Sequence, residues 1–245
     1  VAHLLPTIKS QCANLPAPPS FVTALRRETL AIIAEIKRAS PSKGHIAPGL
    51  NAREQAEAYK RGGAAAISVL TEPDEFGGSH DDLADVARHV SLPVLRKDFI
   101  VHAVQIWEAR AAGAAAVLLI ARSLSPTELP TLYKEARNAG LDVLVEVRDA
   151  QEMQRAIDVG ARVIGVNNRN LETLVIDPAT APQLMHLVPV DRIAVAESGM
   201  ASTQDAIPAQ QAGADALLIG SAISAAADPT KAVASFAELV RVSRG

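Results

Sequence analysis

Aromatic residues are scarce, at 3% of the 245 residues, which removes the stacking platforms that a single-stranded nucleic acid needs. An excess of positive charge is missing too. The formal net charge is −3 and the pI is near 6.1, so there is no basic surface for a phosphate backbone and no nucleic-acid partner is expected. A single cysteine, Cys12, excludes an internal disulfide and fits a reducing compartment, so a cytoplasmic location is expected. The longest apolar run, "AAGAAAVLLIA" between Arg110 and Arg122, is too short to span a bilayer, and no membrane partner is expected. The start, "VAHLLPTIKSQC", shows no positively charged leader followed by an apolar stretch; its opening Val in place of Met reads as a processed or trimmed start. The histidines, His3, His45, His80, His89, His102 and His186, show no metal-ligand spacing, and none lies at a predicted strand end. No metal is implied, and surface or helix packing is the expected role of each.

What is present is an ordinary globular composition, 49% hydrophobic and 21% charged, enough for one sizeable core. One phrase recurs: "RGGAAAISVL", "AAGAAAVLLI", "NAGLDVLVEV", "DVGARVIGVN" and "QAGADALLIG". In each, a helical pattern ends at a glycine (Gly63, Gly113, Gly140, Gly160, Gly213) that supplies the left-handed cap, and an apolar strand follows. Completing the pattern predicts eight strands, near 31–37, 65–70, 93–97, 115–120, 142–147, 162–166, 192–196 and 215–219, with helices between. Being apolar on both faces, these strands suit a parallel sheet covered by helices. Eight such units in about 250 residues predict a closed (β/α)8 barrel over residues 31–245. Residues 1–30, interrupted by the Pro-rich "LPAPPS", form an N-terminal extension.

In such a barrel the working residues stand at the C-terminal ends of the strands. The stretch "IIAEIKRASPSKG" ends its strand with Glu35 and Lys37 on one face, their alpha carbons roughly 6 to 7 Å apart. A structural ion pair would explain that pair alone. Polar groups, however, gather at the same rim from other strands: Lys97, Glu146, Asn167, Arg169 and Glu197. Burying charges without partners costs several kcal/mol, so a purely structural barrel would fill these positions with apolar side chains. A second cluster is small and flexible, "ESGM" after the seventh strand and "IGSAIS" after the eighth. Ser198, Gly199, Gly220 and Ser221 are the expected phosphate cradle, closed from the first strand by Lys37 and Ser40. The "FGGS" stretch reads as a mobile loop after the second strand, Trp107 as a residue packing a helix on the barrel, and Cys12 as a poor nucleophile.

The segments "AEIKRASPSKG", "SVLTEPDEFGGS", "PVLRKDFI", "LVEV", "GVNNRNL", "AESGM" and "LLIGSAI" together resemble the indole-3-glycerol phosphate synthases, barrel enzymes of tryptophan biosynthesis. The likeness runs in order from about Phe21 to the C-terminus. It implies a phosphorylated small-molecule substrate, 1-(2-carboxyphenylamino)-1-deoxyribulose 5-phosphate, whose pyrrole ring closes with loss of carbon dioxide and water, without metal or organic cofactor. By the resemblance, Lys97 is the general acid and Glu146 serves the later proton transfer and dehydration. Lys37 holds the anionic substrate and shares acid duty, while Glu35, Glu197 and Asn167 orient lysines and substrate hydroxyls. Arg169 meets the substrate carboxylate, and Phe76, Phe99, Leu118, Leu171, Leu174 and Ile219 enclose the anthranilate ring. The chain is expected to act as a monomer, with a weak homodimer as the alternative.

The chain departs from the family in its short extension, which leaves open whether that segment closes the barrel mouth, and in "IGSAISAAADP", which leaves the helix after the last strand open. A phosphoribosylanthranilate isomerase would call for a cysteine after the first strand and an aspartate after the sixth, where this chain has Glu35, Lys37 and Asn167. A noncatalytic or inactivated sugar-phosphate-binding barrel remains the alternative of another class; it would not need Lys97 and Glu146 together.

Overall fold

A computed structural model describes residues 4–42 and 44–244; His3 and Lys43 of the stretches discussed above lie outside the described residues. Eight parallel strands close into a barrel: β1 (Ala31–Ile36), β2 (Ala66–Leu70), β3 (Val94–Lys97), β4 (Ala116–Ile120), β5 (Asp142–Val147), β6 (Val163–Asn167), β7 (Ile193–Glu197) and β8 (Ala216–Ile219). Each lies within one residue of its predicted bounds at either end. Closure is made by β1 against β8, in register from Ala31 with Ala216 to Ala34 with Ile219. The recurring glycines do cap the helices, with φ between 75° and 90° at Gly63, Gly113, Gly140, Gly160 and Gly213. Among the described residues no helix is long and apolar enough to cross a membrane.

Strand periodicity builds the mouth of the barrel. On the inward face Ile33, Leu95, Leu144, Val163, Val195 and Leu218 belong to one buried apolar cluster. Two residues further along, the same face carries Glu35, Lys97, Glu146, Gly165, Glu197 and Gly220. The interior therefore changes from hydrocarbon to charge within one inward step on β1, β3, β5 and β7. Outward-facing strand residues pack under the helices in a second, larger apolar cluster.

The N-terminal extension lies away from the mouth. Helix α1 (Leu5–Cys12) packs beside α5 (Ala103–Ala111), while Arg110 donates to the carbonyls of Leu15 and Pro16 and ties the Pro-rich segment to the barrel flank. Helix α2 (Phe21–Leu25) buries Phe21, Val22 and Leu25 in the lower apolar cluster. There the Val22 amide donates to Asp142 at the start of β5. Helix α2 thus seals the N-terminal end of the barrel, because the open hydrocarbon layer is at that end and the charged layer at the other, while α1 and the Pro-rich segment lie along the flank. Cys12 is buried, and that burial raises its thiol pKa, consistent with a non-nucleophile. Trp107 packs partly against the outer core, but its indole N–H donates to Glu135 of α6 (Glu128–Asn138), so it also joins two helices.

His45 stands exposed in a two-residue antiparallel ladder between Ala39–Ser40 and Gly44–His45. His80 opens α4 (His80–His89). His89 Nδ1 lies 3.0 Å from Asp85 Oδ1, His102 precedes α5, and His186 is exposed.

Replacing Phe21 by Ala should cost about 3 to 5 kcal/mol of stability, as for other buried aromatic truncations. Turnover per folded molecule should not change, since Phe21 lies at the end of the barrel remote from the charged layer. Urea unfolding beside steady-state kinetics would check both halves.

Candidate active site at the barrel mouth

Glu35, 2% exposed, and Lys37 leave β1 on one face and form an ion pair of 2.6 Å. The pair is real, but it is not isolated. Lys97 Nζ at the end of β3 lies 3.6 Å from Glu146 Oε2 of β5 and 3.9 Å from Glu197 Oε2 of β7. Asn167, closing β6, donates from Nδ2 to Glu146 Oε1 at 3.0 Å, and its Oδ1 accepts the Arg169 N–H at 2.9 Å. Three buried carboxylates and two half-buried ammonium groups thus share one layer. Glu197 is 1% exposed, and neither of its oxygens has a hydrogen-bond partner among the described residues.

These positions set the charges. Burial works against the Glu35 carboxylate, but Lys37 and Lys97 outweigh it and hold the group below the usual carboxylate range. For Glu197 the balance reverses. Burial, reinforced by the negative charge of Glu146 and opposed by Lys97, pushes its pKa well above the ordinary value. Burial also disfavours the Lys97 ammonium, yet Glu146, Glu35 and Glu197 together keep its pKa above the ordinary lysine range.

Two cavities open from this layer and meet at Lys97, which lines both. The larger, about 190 Å³, is polar and is bounded by Glu35, Lys37, Arg169, Glu197, Ser198, Gly199, Gly220 and Ser221, with Ile219 beside them. Ser198 adopts a left-handed φ of 66°, uncommon for a residue other than glycine, and Gly199 follows at 84°. Across the cavity, the short helix α10 (Ser221–Ser224) starts at Gly220, and its first amides have no partner within the helix. The smaller cavity, about 50 Å³, is largely apolar, walled by Phe76, Phe99, Leu118 and Leu171 with Glu146 at its edge.

Three expected positions lie elsewhere. Ile219, expected beside the ring, lines the polar cavity and not the apolar one. Ser40 does not line the polar cavity; it is buried in the two-residue ladder after β1, its hydroxyl without a partner among the described residues. Leu174 lines neither cavity, since a left-handed φ of 60° turns the chain there and its carbonyl accepts from Arg169. Arg169 belongs to the polar cavity, where it also donates to Ser42. Asn167 lines neither of the two, but holds Glu146 from the side. The "FGGS" loop is not a loose flap: the Glu72 carboxylate accepts the amides of Asp74, Glu75 and Phe76. That turn fixes the Phe76 ring 6.4 Å from that of Phe99.

Sequence reasoning missed the support beneath Lys37. Ser224 Oγ donates to the Glu35 carbonyl and accepts from the Lys37 amide, while Tyr59 Oη lies 3.0 Å from Ser224 Oγ. This buried knot ties the end of β1 to α10. Burial pushes the Tyr59 hydroxyl up to about 12. A tyrosine on the buried face of α3 (Ala52–Arg61) was the available signal, because a buried phenol needs a partner.

The profile of the family described as indole-3-glycerol phosphate synthase matches residues 3–236. A protein named indole-3-glycerol phosphate synthase from Opitutus terrae is 47% identical over 231 residues, 91% of this chain and 87% of that one. Indole-3-glycerol phosphate synthase 1 from Streptomyces coelicolor is 46% identical over 229 residues, 94% of this chain and 85% of the other. Among solved structures, 3-hexulose-6-phosphate synthase from Salmonella typhimurium superposes with a TM-score of 0.68 at 16% identity, covering 85% of this chain and 97% of that one. Thiamine phosphate pyrophosphorylase from Pyrococcus furiosus gives 0.63 at 18% identity, covering 86% and 95%. At those identities the two structures support the fold alone.

The raised pKa of Glu197 predicts a pH-dependent stability effect. Below the ordinary carboxylate value near 4.3 the group is protonated whether folded or not, so nothing is lost. As pH rises through the raised folded value, ionisation costs more in the barrel than in the unfolded chain and stability falls. Glu197→Gln should therefore unfold at a higher temperature than the parent at pH 8, with the two converging near pH 4. Thermal unfolding across that range is the check.

Proposed function

The chain belongs to the indole-3-glycerol phosphate synthase family and is a carboxy-lyase of tryptophan biosynthesis, and from this premise we propose how its rim residues divide the work. The observation that carries the proposal is Lys97, common to both cavities. The substrate, 1-(2-carboxyphenylamino)-1-deoxyribulose 5-phosphate, has a phosphate at one end, an aromatic ring at the other and a carbonyl between. The polar cavity suits the phosphate, the apolar cavity suits the ring, and the carbonyl then falls at Lys97.

In this reading Ser198, Gly199, Gly220 and Ser221 hold the phosphate through backbone amides and hydroxyls, as short helix starts and glycine turns favour anions. Lys37 adds the positive charge that the loops lack. Phe76, Phe99, Leu118 and Leu171 enclose the ring. Arg169 takes the substrate carboxylate, which brings it from its resting contacts with Ser42 and Leu174.

Lys97 donates its proton to the carbonyl oxygen as the ring carbon attacks. Carbon dioxide then leaves that carbon and restores aromaticity, and the hydroxyl departs as water. Glu146 lies at the edge of the ring cavity with Asn167 fixing its carboxylate, which suits the proton transfer that accompanies dehydration. The carboxylates that stabilise the Lys97 ammonium make it a reluctant acid. Neutralising one of them, as a proton on Glu197 does, lowers the cost of giving up the proton. Glu35 plays the matching part for Lys37.

Lys97→Ala should lose about 10²- to 10⁴-fold in turnover with the fold intact, the range for a positioned acid; parent-like indole fluorescence from this variant would remove Lys97 from the mechanism. Glu146→Gln should depress kcat and also shift the alkaline limb of kcat/KM to lower pH, because one of the charges favouring the Lys97 ammonium is gone. A loss confined to KM would argue against its proton-transfer role. Ser221→Asp should raise KM by about tenfold or more through repulsion of the phosphate, and unchanged affinity would move the phosphate elsewhere.

A further inference from the structure

Gly165 is a residue of β6 in a place where a strand would ordinarily carry a side chain. It pairs in register with Glu146 of β5 and lies one inward step below Asn167, the register partner of Glu197. It therefore sits between two of the three buried carboxylates. Its φ is outside the positive range that distinguishes Gly199 or Gly213, so backbone geometry does not call for glycine. Glycine within a strand also weakens it and marks a close approach by another group.

That other group is the Glu197 side chain. A Cβ at position 165 would stand well inside contact distance of Glu197 Oε1, and 3.1 Å from both Glu197 Cδ and Leu144 Cδ1. No backbone atom is among those neighbours. The Glu197 carboxylate rests in the space that Gly165 leaves, 3.9 Å from Lys97 and 1% exposed. The same relation recurs at Gly220, where a Cβ would meet Glu35 Oε1 and come within 3.3 Å of Lys37 Nζ. Gly220, however, also lines the polar cavity itself, whereas Gly165 does not.

We propose that Gly165 is a positioning residue for the ring-closure reaction: its missing side chain is what seats the Glu197 carboxylate beside Lys97 and Glu146. An alanine there drives the carboxylate out of its seat toward the lysine and its neighbouring acid, and changes the charge balance on which Lys97 depends. Misplacing a group by about 1 Å is enough to cost about 10²-fold. The inference rests on Glu197 being part of the reacting centre.

The test is a cycle of four proteins: the parent, Gly165→Ala, Glu197→Asp and the double variant, each assayed with the carboxyphenylamino deoxyribulose phosphate and melted by heat. Shortening Glu197 by one methylene makes room for the added methyl group. Gly165→Ala should lower kcat by about 10²-fold with KM within about threefold, whereas the same change in the Glu197→Asp background should cost less than about threefold. Equal costs in the two backgrounds, or single-variant turnover within twofold of the parent, would overturn the proposal. If Gly165→Ala does not fold, a folded double variant supports the seat, and an unfolded one overturns it. Absence of turnover in the parent would sink the proposed reaction, and the melting temperatures of the same four proteins would still read the coupling between positions 165 and 197.

Discussion

The Lys97 ammonium stands half-buried at the barrel mouth, and what holds it there is a layer of carboxylates drawn from β1, β5 and β7. Neither of the ion contacts of Lys97 itself is short; the distances to Glu146 and Glu197 are 3.6 and 3.9 Å. The effect is collective and depends on exclusion of water, which strengthens every charge in the layer and raises the cost of leaving any of them uncompensated. Asn167 holds Glu146, Ser224 and Tyr59 hold the end of β1, and Gly165 leaves the space for Glu197. These are the supports that let a charged centre sit on top of a hydrocarbon core.

The barrel separates that centre from the structure that stabilises it. Apolar inward residues and helix α2 fill the N-terminal end, while β1, β3, β5 and β7 turn charged one inward step later. Stability and chemistry thus occupy successive layers of one sheet. The enclosing loops are braced as well: Glu72 fixes the turn that carries Phe76, and Arg38 donates from Nη2 to Asp82 of α4 at 2.9 Å while also reaching the Gly77 carbonyl. Such bracing sets the two cavities at a fixed angle around Lys97, as an extended substrate with unlike ends requires.

The strands and the rim were legible because both rest on short-range rules. Apolar runs after glycine caps placed β2, β4, β5, β6 and β8, and the rule that barrel sites stand at the C-terminal strand ends put Glu35, Lys97, Glu146 and Glu197 at one rim. Loops followed no such rule. Ser40 was assigned to the phosphate cradle by proximity to Lys37, yet the chain turns into a small ladder and buries it. The family resemblance implies Leu174 in the ring pocket, yet the left-handed turn there takes it away. The extension, in turn, carries no periodicity that could tell the mouth of the barrel from its base.

The sequence by itself determined the (β/α)8 architecture, the face each strand residue presents and the kinds of charge gathered at one end, because these follow from local geometry repeated eight times. The tertiary structure decided which carboxylate lies next to which lysine, that helix α2 covers the base, and that two cavities meet at Lys97. It also decided that Gly165 faces Glu197. These relations join residues far apart in the chain, and only closure of the sheet brings them within the few ångströms over which charge and volume act.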